Sequence, residues 1–263
     1  MSKKMYGTKE WAKDSLNFIT GCSHDCRYCY SKAYAIKYGR ATPESWKNEI
    51  VREYRLKKKC KKYDGRVMFP SSHDISPEHL NGSVRFLRNI LEAGNEVLVV
   101  SKPHLECIER ICDEFGVYKD KILFRFTIGS SSSAVLKFWE PEAPSFEERL
   151  ECLRLAYDNG YKTSVSCEPM LDGNIDDVVR CVMPYVTDAV WIGKANYLLE
   201  RVELNGHYDE EMLLRIRELH EWQTDDNIKR LYQRYKDNEQ IKWKESIKKI
   251  VGIPIPREKG LDI

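Results

Sequence analysis

Short runs of strand-forming residues alternate with longer amphipathic segments through residues 16–194, and this alternation limits the possible folds more than any other feature of the chain. Since neighbouring parallel strands need a long crossover, usually a helix, the alternation predicts a parallel sheet covered by helices. Six such units are fewer than the eight of a complete barrel, so an open six-unit barrel and a doubly wound sheet are both compatible with them. The predicted strands span residues 16–19, 67–69, 96–100, 122–128, 163–167 and 189–192.

The segments between the predicted strands carry apolar residues at steps of three or four, the period of a helix that buries one face. Leu105, Ile108 and Ile111 are one example. Ser145 stands three residues before Glu148, which is the spacing of a capping box and predicts the start of a helix. In a parallel sheet of this kind, the functional site lies at the carboxyl ends of the strands.

The chain changes character after residue 196. Residues 206–250 are rich in charged and helix-forming residues, with apolar positions that include Met212, Leu231, Ile241 and Trp243. This pattern predicts two or three helices that pack on the core. We therefore expect two parts: a barrel of residues 11–198, and a C-terminal helical extension and tail of residues 199–263.

Composition restricts the compartment and the class of protein. The chain has 263 residues, 42% hydrophobic and 32% charged, with a net charge of only +2, so it can bury a core. Without an apolar run near the roughly 18 residues of a membrane span, no membrane partner is expected, and the expected location is the cytoplasm. Nine cysteines cannot all pair as disulfides. In a reducing compartment, clustered cysteines are more typical of metal ligation.

Three cysteines follow the first predicted strand. Cys22, Cys26 and Cys29 are separated by three and then two residues, with Tyr28 directly before the last. A [4Fe–4S] cluster is usually held by four cysteine thiolates, so three of them leave one iron free to bind another molecule. The alternative is a structural zinc site, in which His24 or a distant residue is the fourth ligand.

Polar side chains stand where the predicted strands end, and these ends meet at one edge of a parallel sheet. Glu168 follows the fifth strand. Its carboxylate needs a partner if it is buried: a cation, hydroxyl or substrate in the site, or an internal salt bridge. The other candidates follow the second, third, fourth and sixth strands and are Ser71, His73, Lys102, Ser130, Ser131, Lys194 and Asn196.

The cysteine spacing together with Tyr28 resembles the signature of the radical S-adenosylmethionine (SAM) superfamily. The resemblance implies a [4Fe–4S] cluster held by Cys22, Cys26 and Cys29, with SAM bound to the remaining iron. One electron from the reduced cluster would cleave SAM to methionine and a 5′-deoxyadenosyl radical, which takes a hydrogen atom from a substrate. A reduced flavodoxin or ferredoxin is the electron donor that the family implies.

The same resemblance gives the polar candidates expected roles. Lys102 or Lys194 would meet the SAM carboxylate. Ser130 or Ser131 would bind the ribose or the amino group, and the Tyr28 backbone the adenine edge. The remaining expectations are cofactor contacts by Glu168 and Asn196, and catalytic roles for Glu168, Ser71 and His73.

Longer stretches resemble the spore photoproduct lyase-like branch of the superfamily, which includes proteins labelled DNA repair photolyases. The resemblance implies a partial (β/α)6 TIM-like barrel. One position departs from the branch, because residues 69–74, the loop after the second predicted strand, contain no cysteine to return a hydrogen atom to the product radical. A serine O–H bond is too strong for that role, so we do not expect the lyase reaction by its usual route. The stretches are residues 21–30, 68–80, 99–104, 125–130, 138–149 and 164–171.

Two basic stretches bear on the substrate. Residues 52–66 carry eight basic and two acidic side chains, and residues 229–249 interleave Lys and Arg with Tyr232, Tyr235 and Trp243. Such stretches can bind nucleic acid, although they are more often the solvated face of a helix. A nucleic acid or nucleotide is therefore one expected substrate. A small metabolite or peptide is the second, and a non-catalytic, zinc-stabilised binding module is a third interpretation of the chain.

Overall fold

A seven-stranded parallel sheet organises the protein. The computed structural model describes residues 5–261. All neighbouring strands of the large sheet run parallel, in the order β1-β4-β5-β6-β7-β8-β9, and β2 and β3 form a separate antiparallel pair. The strands are β1 (Asp14–Ser15), β2 (Ile19–Thr20), β3 (Ile50–Val51), β4 (Val67–Phe69), β5 (Val97–Ser101), β6 (Ile122–Thr127), β7 (Lys162–Cys167), β8 (Val190–Ile192) and β9 (Ile241–Trp243).

Helices connect successive strands of this sheet, as the amphipathic segments predict. The predicted α/β class and the partial barrel of parallel strands are confirmed. Within residues 5–261 the α-helices are α1 (Tyr30–Lys37), α2 (Glu53–Lys57), α3 (Leu80–Glu92), α4 (Leu105–Phe115), α5 (Ser133–Trp139), α6 (Phe146–Asp158), α7 (Ile175–Val182), α8 (Leu198–Leu204), α9 (Glu210–Trp222), α10 (Asp225–Tyr235) and α11 (Glu245–Val251).

The main core lies between the outer face of the sheet and the helices. Phe124 of β6 and Ile108 of α4 are fully buried there. A smaller cluster fills the inner face, where Trp11 and Trp191 meet edge to face with ring centroids 5.7 Å apart. The buried guanidinium of Arg125 lies 4.9 Å and 5.3 Å from these two rings. The barrel interior is therefore closed by packing below the site.

The first strand differs from its prediction. Residues 16–19 were predicted to form one strand, but the sheet is joined by Asp14–Ser15, and Ile19–Thr20 pairs with Ile50–Val51 instead. The chain leaves the ladder at Asn17, whose side-chain oxygen accepts hydrogen bonds from the backbone N–H groups of Ser71 and Ser72. The apolar residues of this segment predict an extended chain, but no local feature of the sequence specifies which strand pairs with it.

The seventh strand corrects the prediction of a purely helical C-terminal extension. Ile241–Trp243 lies within residues 206–250 and pairs in parallel with β8. Ile241 and Trp243 are buried and Lys242 is not, a period of two that is too short to stand out in a helix-rich segment. The helical part is confirmed by α9, α10 and α11. The division of the chain near residue 198 stays a prediction.

Among the described residues, none of the helices combines the length and the apolar character that crossing a membrane would require.

We predict that Trp243→Ala destabilises the protein strongly, because β9 completes the sheet. The Trp243 side chain is 6% exposed and packs against Tyr232 with ring centroids 5.3 Å apart. Its removal should lower the free energy of unfolding by about 3–5 kcal/mol. Leu214→Ala is the control, since Leu214 is 54% exposed and its loss should cost within about 0.5 kcal/mol. If urea denaturation showed the same loss of unfolding free energy for Trp243→Ala and Leu214→Ala, the assigned role of β9 would be contradicted.

Candidate active site

A cavity of about 460 Å³ opens at the carboxyl ends of the parallel strands, where the sequence predicted the site. Its walls come from the cysteine loop, from the loops after β4, β5, β7 and β8, and from the segment before β1. Of the predicted site residues, Ser130 and Ser131 do not line it. Those that do are Cys22, Cys26, Tyr28, Cys29, Ser71, His73, Lys102, Glu168, Lys194 and Asn196.

The cysteine loop is held in a tight conformation at both of its ends. Gly21 has a φ of +96°, and a Cβ there would lie 2.6 Å from the Trp46 carbonyl oxygen, so only glycine fits. The backbone N–H of Cys22 donates to the same carbonyl at 3.0 Å. At the other end, Cys29 caps α1, and its sulfur accepts from the Lys32 backbone N–H at 3.4 Å. The three thiols are thereby directed toward one cavity.

The thiols lie in surroundings that favour their neutral form. Burial raises the pKa of Cys22, Cys26 and Cys29, and the nearby ammonium of Lys102 opposes this shift only in part. A thiolate is the form that binds metal, so a bound metal centre would supply the positive charge that these residues need.

The spacing of the possible ligand atoms separates the two metal interpretations. Two atoms bound to one zinc ion at about 2.3 Å cannot lie more than about 4.6 Å apart. Among residues 5–261, the ligand atoms that lie within 4.8 Å of one another belong to Cys22, His24 and Asp74, and the three thiols do not form such a group. As they stand, Cys22, Cys26 and Cys29 are not gathered within reach of one zinc ion, and three cysteine thiolates in one loop are a donor set that would leave one iron of a [4Fe–4S] cluster free.

The compact group around Asp74 is itself poorly suited to a single zinc ion. Both ring nitrogens of His24 have protein partners, Nδ1 with Asp74 and Nε2 with His104, each at 2.9 Å. The ammonium of Lys102 lies 3.3 Å from the Asp74 carboxylate and would repel a second cation. These contacts make the Cys22, His24 and Asp74 group less suited to zinc than its spacing alone indicates.

Asp74 joins three loops of the site, and the sequence analysis did not single it out. Its carboxylate accepts from the Ser101 hydroxyl at 2.9 Å and from the Lys102 backbone N–H at 2.7 Å, in addition to His24. Burial alone would raise the pKa of Asp74, but the charges of Lys102 and His24 hold it well below its usual range. The available signal was an acidic residue directly after His73 in the loop that follows β4.

Tyr28 fixes the cysteine loop to the helical layer. Its hydroxyl donates to Glu140, whose other oxygen lies 2.5 Å from the guanidinium of Arg149, and the side chains of this ion pair are fully buried. Arg149 also donates to the carbonyls of Pro144 and Thr127, at 2.9 Å and 3.1 Å. Glu140 and Arg149 were missed from sequence as site residues, because only the fold brings them to Tyr28.

Glu168 lines the cavity and forms an internal ion pair, the second of its two predicted alternatives, while contact with a substrate stays a prediction. Its carboxylate lies 3.4 Å from the buried ammonium of Lys244, which is also 2.8 Å from Glu10. Gly193 makes room for this pair, since a Cβ there would lie 2.9 Å from Glu168 and 2.8 Å from Lys244. Burial raises the pKa of Glu168, and Lys244 opposes the rise.

Ser71 and His73 lie in the loop after β4. The Ser71 carbonyl accepts from the Tyr30 hydroxyl, and the imidazole Nδ1 of His73 lies 2.8 Å from the Asp74 carbonyl. Burial lowers the pKa of His73, so its ring is neutral near pH 7. The Ser71 backbone is therefore held at its carbonyl by Tyr30 and at its N–H by Asn17. The neutral His73 ring brings no positive charge to the cavity.

The remaining polar candidates divide into two groups. Lys194 lines the cavity, and its ammonium lies 3.9 Å from the carboxylate of Asp225. Ser130 is fully buried, and its hydroxyl donates to Asp172. Ser130 and Ser131 lie outside the lining of this cavity, and their contacts with SAM stay predictions.

Comparison with known sequences and structures agrees with this geometry. The sequence model of the radical SAM superfamily matches residues 16–181. An uncharacterized protein of Acidianus two-tailed virus is 27% identical over 220 residues, covering 77% of this chain and 71% of its own. An uncharacterized protein of Methanocaldococcus jannaschii is 28% identical over 170 residues, covering 63% of each chain.

Solved radical SAM structures have a similar fold. A spore photoproduct lyase variant with bound AdoMet and dinucleoside spore photoproduct has a TM-score of 0.54 at 16% identity, covering 87% of this chain and 75% of its own. Streptococcus suis SuiB bound to precursor peptide SuiA has a TM-score of 0.56 at 10% identity, covering 92% and 51%. At these identities, the similarity concerns the fold.

We predict that Glu140→Gln destabilises the protein because it leaves the buried Arg149 charge without its carboxylate. The free energy of unfolding should fall by about 3–5 kcal/mol. Glu142→Gln is the matched control, since Glu142 is exposed only two residues away. Urea denaturation of both variants measures the difference, and similar small losses would show that the ion pair does not hold the cysteine loop.

We also predict that Glu10 makes stability depend on pH. Burial raises the pKa of Glu10 to about 8, against the opposing charge of Lys244, whereas in the unfolded chain its pKa is near 4.5. Between these pH values the native protein holds more protons than the unfolded one, so its free energy of unfolding should fall as pH rises. Glu10→Gln should reduce this fall between pH 5 and pH 8, measured by denaturation at several pH values. An unchanged pH slope would contradict the prediction.

Proposed function

Because the chain belongs to the radical SAM superfamily and is a radical SAM enzyme, we propose that Cys22, Cys26 and Cys29 hold a [4Fe–4S] cluster and that the adjoining cavity binds SAM and substrate. The observation that supports this proposal is the position of three cysteines of one loop at the wall of one cavity of about 460 Å³. That volume is within the usual range of small-molecule sites, about 300–1,000 Å³.

The protein residues supply binding, orientation and shielding. When bound, the cluster and SAM supply a one-electron cleavage of the sulfonium, which gives methionine and the 5′-deoxyadenosyl radical of the expected reaction. Asp74 and Lys102 keep the loops after β4 and β5 against the cysteine loop. Tyr28 keeps that loop against α5 and α6 through Glu140. These contacts would hold the reacting groups in one geometry, away from bulk water.

Several lining residues are suited to bind SAM. Lys194 is the better cation for the SAM carboxylate, because Lys102 is already paired with Asp74. Asn196 and the Tyr28 backbone are candidates for the amino group and the adenine edge. Ser130 and Ser131 take no part in this assignment, since both lie outside the cavity lining.

Glu168 is the proposed catalytic carboxylate on the substrate side of the cavity. Lys244 lies behind it at 3.4 Å and would fix its orientation, leaving the other face of the carboxylate for a substrate hydroxyl or amine. Ser71 and His73 lie on the adjoining wall as proposed substrate contacts. No step of the spore photoproduct lyase type is proposed, because residues 69–74 offer no cysteine as hydrogen donor.

The substrate class that we propose first is a nucleic acid or nucleotide. The cavity is lined by four basic and three acidic side chains, and two of the basic ones, Lys9 and Arg201, are suited to contact an anionic substrate. The solved relatives have substrates of two kinds, a dinucleoside photoproduct and a precursor peptide, so a peptide or small metabolite is the second candidate. A reduced flavodoxin or ferredoxin is the proposed electron donor.

We predict that Cys22→Ala, Cys26→Ala and Cys29→Ala each abolish the reaction. Anaerobically reconstituted wild-type protein should be brown, hold about four irons per chain and release 5′-deoxyadenosine from SAM with dithionite. Each variant should lose iron and release no 5′-deoxyadenosine above background, because one ligand of the cluster is missing. Cys60→Ala is the control, since Cys60 does not line the cavity. A colourless protein that contains one zinc ion would contradict the proposal.

A further inference from the structure

Four exposed tyrosine side chains lie at the cavity or along α1, the helix whose first residue lines it. Tyr30, Tyr34 and Tyr38 are 48%, 55% and 59% exposed, and Tyr197 is 73% exposed. Tyr30 and Tyr197 both line the cavity. Contiguous exposed apolar surface of this kind marks a binding site more often than isolated exposed residues do. We call these four residues the tyrosine strip.

The strip forms a row that leads out of the cavity. Tyr30, Tyr34 and Tyr38 stand four residues apart along α1 and its C-terminal cap, which places them on one face of the helix. The rings of Tyr34 and Tyr38 have centroids 4.5 Å apart. Eight residues of helix span about 12 Å, so the row extends well beyond the cavity. Tyr30 is fixed at the entrance by its hydrogen bond to the Ser71 carbonyl.

Cations accompany these rings. The guanidinium of Arg40 lies 5.2 Å and 5.8 Å from the centroids of Tyr34 and Tyr38. The guanidinium of Arg201, which also lines the cavity, lies 5.8 Å from the Tyr197 ring. Lys37 is exposed on α1 and lies 3.6 Å from the carboxylate of Glu200. The strip therefore combines aromatic rings with the guanidinium groups of Arg40 and Arg201.

Packing of the protein itself does not account for the strip. The side of α1 that faces the protein carries the small buried residues Ala33 and Ala35, and the tyrosines point the other way, into solvent. Beyond the contacts of Tyr34 and Tyr38 with each other and with Arg40, and the hydrogen bond of Tyr30, these rings leave an exposed aromatic face along one side of α1. A partner that covers these rings would recover that apolar surface.

We propose that the tyrosine strip binds a single-stranded nucleic acid next to the nucleotide that enters the cavity. Bases would stack on Tyr34 and Tyr38, and phosphates would lie against Arg40, Lys37 and Arg201. Aromatic faces interleaved with cations suit unpaired bases, because the faces of paired bases are covered by their neighbours in a duplex. This inference depends on the proposed function in one respect, namely that the cavity at the cysteine loop is where the reaction takes place.

The test is binding of a fluorescently labelled 12-nucleotide single strand to the reconstituted protein at low salt, followed by fluorescence anisotropy. The double variant Tyr34→Ala/Tyr38→Ala should bind at least about tenfold more weakly, since each stacked base contributes to affinity. Tyr157→Ala is the matched control and should bind within about twofold of wild type. Tyr157 is 41% exposed at the end of α6 that leads into β7, at the amino ends of the strands.

Two further measurements separate stacking from general attraction. Tyr34→Phe/Tyr38→Phe keeps both rings and should bind within about twofold of wild type. Arg40→Gln should weaken binding and lower the slope of log affinity against log salt by about one. A duplex of the same sequence should bind more weakly than the single strand.

The proposal is overturned by any of three results. These are the absence of single-strand binding, a loss of affinity that Tyr157→Ala shares with the double variant, and a preference for the duplex or for a peptide of equal length. The measurement needs no SAM cleavage. A protein that lacks iron but binds the strand through Tyr34 and Tyr38 would therefore overturn the proposed function alone, and an active protein with no such binding would overturn this inference alone.

Discussion

The buried ion pair between Asp74 and Lys102 is the interaction on which the geometry of the site depends. Asp74 belongs to the loop after β4, Lys102 directly follows β5, and His24, the third partner, belongs to the cysteine loop. A buried carboxylate and ammonium stabilise each other only where both are also hydrogen-bonded, as Asp74 is here. One carboxylate thereby sets the distance between the thiols and the opposite wall of the cavity.

A second pair closes the barrel from the side. Lys244 follows β9 at one edge of the sheet, and Glu10 precedes β1 at the other, so their 2.8 Å contact joins the two edges that no strand pairs. The ammonium also donates to the Gly7 carbonyl at 3.0 Å. Lys244 also contacts Glu168, so the group that joins the two edges of the sheet also contacts the cavity wall. A partial barrel of seven strands thus obtains a continuous wall without an eighth.

The sequence was sufficient for those features that have a local signal. Strands at residues 67–69 and 122–127 and the helices between them follow from periodicity, and the cysteine loop follows from spacing. The capping box at Ser145 was half right: Ser145 caps α6, but the Glu148 carboxylate accepts from the Leu105 backbone N–H instead of the capping residue. A residue distant in sequence, Leu105, is therefore the hydrogen-bond partner of the Glu148 carboxylate.

The features that were missed depend on residues distant in the chain. Tyr28 and Glu140 are 112 positions apart, and Lys244 and Gly7 are 237 positions apart, so no window of sequence contains both partners. The contact of Ser130 with Asp172 was missed for a related reason, because the end of a strand gives the position of a residue but not the partner of its side chain. The burial of the ionisable side chains of Glu10 and Arg149 becomes visible only when the fold has covered them.

The central claim is that three thiols hold a cluster with one iron left open to SAM. The most direct measurement is the electron paramagnetic resonance spectrum of the reconstituted, dithionite-reduced protein with and without SAM. The account predicts the signal of a reduced [4Fe–4S] cluster whose g values change when SAM is added, because SAM would bind the cluster itself. A reduced protein without such a signal, or with one that SAM leaves unchanged, would contradict it.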